Sequence, residues 1–335
     1  MAITLADAAL NTQDDIDFQV IEQFQKESWL LNNLQFDQAV SPAGGGATLT
    51  YGYTREKTER GAAFRAINAE YVAAEAEREQ ITTVLKPLGG SFDLDRVLSA
   101  LGQAQTNEVA FQLSQTVKST RTKFADEFIN GDTAVDANGF NGLDKILTGT
   151  STEIVPGGAA AYVDWSAATV DTEGEAHTAI DLLDQLVYSL DGPASALLCN
   201  TQGFLRVKAI ARRAGYYTRA ENAFGQMVEY YGVVPIIDLG AKPASSNPII
   251  PTETRDPDGA GGGGNITNLT DIYAVRLAED AVHAVAVSGT PLVQTWLPDF
   301  STAGAVKKGE VEMGPVSIVV KKTRAAAVLR NVKVA

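Results

Sequence analysis

"FINGDTAVDANGFNGLDKIL", residues 128–147, joins the end of a helical pattern to a loop dense in Gly, Asn and Asp and then to a new apolar run. Upstream, Val109, Leu113, Val117, Phe124 and Phe128 recur at i, i+4, i+8, i+15 and i+19, which lays them along one face of a 3.6-residue repeat. Lys118, Arg121, Lys123 and Asp126 fall elsewhere on the wheel. The spacing predicts a helix over residues 103–130, a rod of about 40 Å at roughly 1.5 Å per residue, longer than most globular helices. Gly131 is expected to stop it by entering the left-handed conformation that strains other residues. Gly139 and Gly142, in the GFNGL turn, are expected to be needed for a similar backbone reason.

Toward the N-terminus, residues 44–90 open and close with glycines. Their ends, 47–53 and 80–85, are rich in Thr, Tyr, Val and Ile and predict two strands. The middle is charged with few large apolar residues, so this excursion cannot bury a core of its own and suits cover by a neighbouring chain. Within it, Arg55, Glu56, Lys57, Glu59 and Arg60 alternate in sign and are candidate contacts to another subunit. Residues 1–43 carry short apolar clusters, Phe18, Val20, Ile21 and Phe24, then Trp29, Leu30, Leu31 and Leu34, and read as an arm that packs on something else.

Toward the C-terminus the elements alternate. "HTAIDLLDQLVYSLDG" predicts an amphipathic helix ended by Gly192-Pro193, "ASALLCN" a buried strand, and "TQGFLRVKAIARRAG" a helix capped by Thr201 and stopped by Gly215. Strands follow in "MVEYYGVVPIIDLG" and "DIYAVRLAEDAVHAVAVSG", separated by a long Pro/Gly/Ser loop of the length that is usually functional or mobile. Alternating strands close the chain, which makes it a mixed α+β protein.

At 335 residues, 45% apolar and 20% charged, the composition is that of a globular chain with a sizeable core. No apolar run is long enough to span a bilayer, and the first residues lack the basic flank and apolar core of a signal peptide, so a soluble chain made in a cytoplasm is expected. The formal charge of -14 argues against tight, general nucleic-acid binding. That charge is uneven. After Ala305, Lys307, Lys308, Lys321, Lys322, Arg324, Arg330 and Lys333 face only Glu310 and Glu312, an asymmetry that suits like subunits meeting through opposite faces.

Catalytic chemistry is thin. His177 opens a helix and His283 sits in an apolar strand; neither has a partner at metal-ligand spacing, and both read as structural. Cys199 lies among apolar neighbours and reads as a core residue. A calcium loop fails at both ends: with Gly139 in the glycine position, Ala134 stands for the first carboxylate and Lys145 for the bidentate glutamate. The glycine runs lack the Lys-Ser/Thr of a phosphate loop. No enzyme, no cofactor and no metal is expected.

The helix ending in "FINGD" and followed by "GFNGLDKI" resembles the segment after the spine helix in major capsid proteins of tailed bacteriophages, the Hong Kong 97 type fold. "LLCNTQGFLRVKAIARR" and "FGQMVEYYGVVPIIDLG" resemble the same family's strand, helix and following strand, with Gly232, Pro235, Ile236 and Ile237 at the matching places. The resemblance covers nearly the whole chain in order. It implies an N-terminal arm (1–43), an extended hairpin loop or E-loop (44–91), a peripheral domain with the spine helix (92–165), an axial domain (166–290) and C-terminal strands returning to the peripheral domain (291–335). It further implies pentamers and hexamers closing an icosahedral virion shell, assembled in a bacterial host cytoplasm around double-stranded DNA without tight sequence-specific binding. Portal, scaffold and decoration proteins are the implied partners, and no membrane. The chain departs from members that carry a scaffolding domain of about a hundred residues ahead of the arm, so a separate scaffold, or none, is expected. Lys57 stands where some relatives cross-link to an Asn, but that Asn has no match and no cross-link is expected. An encapsulin-type compartment of the same fold is the alternative.

Overall fold

The computed structural model describes residues 29–40, 49–58, 61–73, 75–96, 108–156, 161–215, 217–221, 227–257 and 264–335. In chain order these form α1 (Trp29–Asn33), β1 (Phe36–Val40), β2 (Thr50–Thr58), β3 (Glu77–Val84), β4 (Lys86–Asp95), α2 (Glu108–Asn130) and α3 (Leu143–Leu147). The short strands β5 (Glu153–Ile154) and β6 (Val163–Asp164) lead to α4 (Glu173–Tyr188), β7 (Ala196–Cys199), α5 (Thr201–Arg213), β8 (Tyr217–Glu221), β9 (Met227–Tyr231) and β10 (Val234–Asp238). The chain ends with β11 (Glu253–Arg255), β12 (Ile266–Val275), β13 (Val282–Val287), β14 (Val293–Trp296), β15 (Val306–Val320) and β16 (Ala326–Lys333).

The larger sheet runs β5-β16-β12-β7-β10-β9-β8, with β11 beside β12 and β6 beside β16. Both faces of β7 are covered, which explains its unbroken apolar run; all four residues are buried. The two-residue period sorts the faces: Leu197, Cys199, Ile272, Ala274, Ala327 and Leu329 meet Ile180, Leu183 and Leu186 of α4 and Val207 and Ile210 of α5. On the opposite face, Ala196, Leu198, Tyr273, Val275 and Val328 enter the core that also holds α2.

Local signals place the helices. Thr172 and Glu175 form a reciprocal capping box at the start of α4. The cap of α5 is Asn200, whose Oδ1 accepts from the Gly203 amide at 2.7 Å, so the expected cap at Thr201 is one residue late. Thr201 instead donates to Asp238 at 2.6 Å. Gly215, at φ +78°, lies just past the end of α5, a backbone conformation that favours glycine there.

The second sheet runs β1-β13-β15-β14, with β4 also pairing with the 15-residue β15. Helix α2 lies over β4 and β15 and buries Leu113, Val117, Phe124 and Phe128, the residues its period selects, together with Ile129. Its described part is 23 residues, about 34 Å; residues 103–107 lie outside the described chain. Phe124 sits 6.0 Å, ring to ring, from both Phe36 and Phe140, so β1 and the GFNGL turn close around the end of the rod.

Strand pairing crosses residue 290. β13, on the near side of that boundary, pairs with β1 and β15, while the C-terminal β16 leaves the smaller sheet through a turn at Thr323–Ala325 and pairs with β12. Which antiparallel partner an apolar strand takes is a long-range choice that local patterning leaves open. Arg330 on β16 joins the two sides: its Nε donates to Glu153 at 2.9 Å, and its Nη1 reaches Asp271 at 3.2 Å and the carboxylate of Asp144 on α3. The hydroxyl of Tyr273 also donates to Asp144, at 2.9 Å.

Candidate assembly surface

β2 and β3 make a two-stranded ribbon in the register Tyr53↔Ile81, Arg55↔Glu79 and Glu56↔Arg78. At its root Tyr51 and Tyr53 pack on Val40, Leu85, Val285, Val287 and Val319, a small apolar cluster separate from the main cores. Polar bonds reinforce it: Tyr53 donates to the Val320 carbonyl at 2.7 Å, and the Thr83 and Ser317 hydroxyls meet at 2.9 Å. A cavity of about 180 Å³ beside the root is lined by Tyr53, Ile81, Asn141, Leu147 and Ile318, so the GFNGL turn borders the ribbon.

Beyond the root, nothing among the described residues covers the excursion. Every residue of 61–73 is exposed, and among them Phe64, Ile67, Tyr71 and Val72 are 107%, 91%, 69% and 94% exposed. A cluster of large apolar groups held in water is the mark of an interaction surface. Burying Phe64, Ile67 and Val72 against a partner is worth about 1.5–3 kcal/mol each. The sign alternation of Arg55, Glu56, Lys57, Glu59 and Arg60 does not point to these four. Their signal was available: they recur at i, i+3, i+7 and i+8, the spacing of one helix face, yet the segment forms no helix and leaves all four exposed.

The charged candidates separate. Arg55 is half-buried and pairs with Glu79 across the ribbon at 3.3 Å, so its partner is in its own chain; such a pair contributes about 0.2–1 kcal/mol. Glu56 is exposed. The Lys57 side chain, Glu59 and Arg60 lie outside the described residues.

Two of the three turn glycines, Gly131 and Gly142, are needed for space rather than for conformation. None of Gly131, Gly139 and Gly142 has a positive φ, which corrects the left-handed stop expected at Gly131 and the backbone reason expected for the other two. A methyl at Gly131 would overlap the carbonyl oxygens of Phe140 and Glu127, and one at Gly142 would lie 2.5 Å from those of Glu127 and Ile129. The turn folds back onto the helix end, and the Gly142 amide donates to the Gly131 carbonyl at 2.8 Å. At Gly139 a methyl would press on the Glu127 carboxylate at 3.1 Å, with the Asp136 carbonyl in ordinary contact at 3.5 Å.

His177 is exposed on α4, 3.7 Å from Glu173. His283 is fully buried under the ribbon root, edge-on to Tyr51, and neither ring nitrogen has a hydrogen-bond partner among the described residues. Burial, and next the charge of Lys321, hold its pKa below the ordinary histidine value. Cys199 is fully buried with its thiol pushed up by burial and then by Asp238, the opposite of a reactive thiolate. Lys145 bridges to Asp132 at 3.0 Å across the loop that superficially matches a calcium site. Among the described residues no group of three His, Cys, Asp or Glu is placed to hold a metal, and no helix is long and apolar enough to cross a membrane.

No protein-family profile matches the chain, and no curated protein matches it in sequence. In three dimensions the chain is similar to the SrpI encapsulin of Synechococcus elongatus PCC 7942 (TM-score 0.58, 17% identity), covering 92% of this chain and 88% of that one. It is similar also to the capsid of Myoviridae phage XM1 (TM-score 0.53, 12% identity, 90% and 91% covered). A third likeness is to the capsid of a native GTA particle (TM-score 0.52, 16% identity, 85% of each chain covered). The chain therefore has the Hong Kong 97 type α+β fold; at these identities the fold is what is shared.

Proposed function

We propose that this chain is the major capsid protein of a tailed bacteriophage, assembling as pentamers and hexamers into an icosahedral shell around double-stranded DNA. The observation that carries the proposal is the ribbon tip, where Phe64, Ile67, Tyr71 and Val72 stand in water on a fold otherwise found in shells. Residues 1–43 then act as the arm and 44–91 as the E-loop, with α2 as the spine helix of the peripheral domain. The axial domain comprises the larger sheet with α4 and α5, including β16. The net charge of -14 suits a wall that must not hold its genome. Portal, scaffold and decoration proteins complete the virion in this reading.

Expression of the chain followed by electron microscopy and sedimentation tests it. Closed shells are expected, lost when Phe64, Ile67, Tyr71 and Val72 are all changed to Ser while the chain stays folded. A wild-type species sedimenting only near 35.5 kDa overturns the reading. The encapsulin alternative has a specific observation in its favour, a TM-score of 0.58 against 0.53 and 0.52 for the two capsids. Particles from the native source decide between them: nuclease-protected double-stranded DNA supports a virion, and enclosed enzyme without DNA supports a compartment.

A further inference from the structure

Helices α4 and α5 lie on the same face of the larger sheet, α4 toward β16 and α5 over β10, β9 and β8, and they carry opposite charge. From 171 to 191, α4 and its flanks hold Asp171, Glu173, Glu175, Asp181, Asp184 and Asp191 and no Lys or Arg. α5 holds Arg206, Lys208, Arg212 and Arg213 and no acid. Part of this is spoken for within the chain. Glu175 closes the capping box, Asp184 accepts from Tyr231 at 2.6 Å, and Lys208 pairs with Glu229 at 2.5 Å. Asp181, Arg206, Arg212 and Arg213 form no ion pair among the described residues.

Complementing the helix dipole accounts for charges in a first or last turn. It does not account for Asp181, in the middle of α4, or Arg206, in the middle of α5. Each helix also presents an exposed apolar group at a matched distance from its free charge. Tyr188, 80% exposed, follows Asp181 by seven residues; Arg212 follows Leu205, 53% exposed, by seven residues. Seven residues are two turns, so each pair lies on one side of its helix and spans about 10.5 Å. Set antiparallel, the two stripes bring Asp181 to Arg212 and Tyr188 to Leu205 together.

We infer that the exposed stripe of α5 in one copy of this chain docks on the exposed stripe of α4 in the next. The inference rests on the shell reading above and adds the surface that closes its rings. The contact is heterologous, joining two different patches, and a heterologous contact repeated by rotation generates a ring rather than a pair. Opposite charges orient the approach, and the apolar partners are desolvated at the centre.

The test is a charge swap in the full chain, with assembly followed by sedimentation and electron microscopy and folding by circular dichroism. R212E/R213E and D181R are each expected to fold but to lower assembly by roughly tenfold or more, because like charges then face each other. Combining R212E, R213E and D181R in one chain restores the attraction with reversed sign and is expected to recover assembly. Wild-type assembly by both partial variants overturns the α4–α5 contact and leaves the shell reading standing. Loss in both without recovery in the combined chain overturns it too, since the residues then act separately. Failure of the wild-type chain to assemble counts against the shell reading, and the contact falls with it.

Discussion

Tyr53 of β2 donates its hydroxyl to the carbonyl of Val320 on β15 across 2.7 Å, tying the two-stranded ribbon to the longest strand of the smaller sheet. Tyr53→Phe removes one hydrogen bond, worth about 0.5–1.5 kcal/mol net, and leaves the ring in its apolar cluster. The chain should therefore fold with nearly unchanged melting, while amides of β2 and β3 exchange with solvent several-fold faster. Unchanged exchange in both strands would show that the tether does not hold the ribbon.

The glycines of the helix stop are ranked by what a methyl would meet. Gly131→Ala and Gly142→Ala must push backbone carbonyls aside, an overpacking cost of about 1–3 kcal/mol each. Gly139→Ala displaces only the end of the Glu127 side chain and should stay within about 0.5 kcal/mol of wild type. Chemical denaturation of the three variants checks the order, and equal stability across them contradicts it.

Arg330 is 9% exposed and serves three carboxylates, Asp144, Glu153 and Asp271. Arg330→Met strips the guanidinium from part-buried Glu153 and leaves Arg255, at 3.0 Å, as the cation paired with Asp271, a loss of roughly 3–5 kcal/mol. Arg330→Lys should recover little, because a point charge cannot reproduce the planar fork. A thermal melt of either variant matching wild type would remove the network from the contacts that join α3 to the larger sheet.

His283 predicts a stability loss in mild acid. Its native pKa is held below the ordinary value of about 6.5 by burial and by Lys321, so as pH falls the unfolded chain takes up the proton first. Stability attributable to neutral His283 is present above about pH 6.5 and declines below it. Asp37 and Glu279 raise the pKa, opposing the shift without reversing it. Between pH 7 and pH 5 the wild-type melting temperature should fall further than that of His283→Phe; parallel curves would falsify this assignment.

Much of the molecule is determined locally and was legible in order along the chain. The apolar face of α2 follows from a 3.6-residue period, the doubly covered β7 from an unbroken apolar run, and the end of α5 from Gly215. The ordered set of elements was enough to suggest the fold. Tertiary structure decided the rest because its causes lie far apart in sequence. Gly131 and Gly142 are needed because segments around residues 127–129 and 140–142 close on one another, which no local propensity encodes. β13 joins the smaller sheet and β16 the larger because pairing partners are chosen across the whole chain. Arg55 found Glu79 through ribbon register, while Phe64, Ile67, Tyr71 and Val72 emerged as the exposed surface only once the core was seen to close without them. Sequence period says which face an element hides; only the assembled core shows which apolar residues remain for a partner.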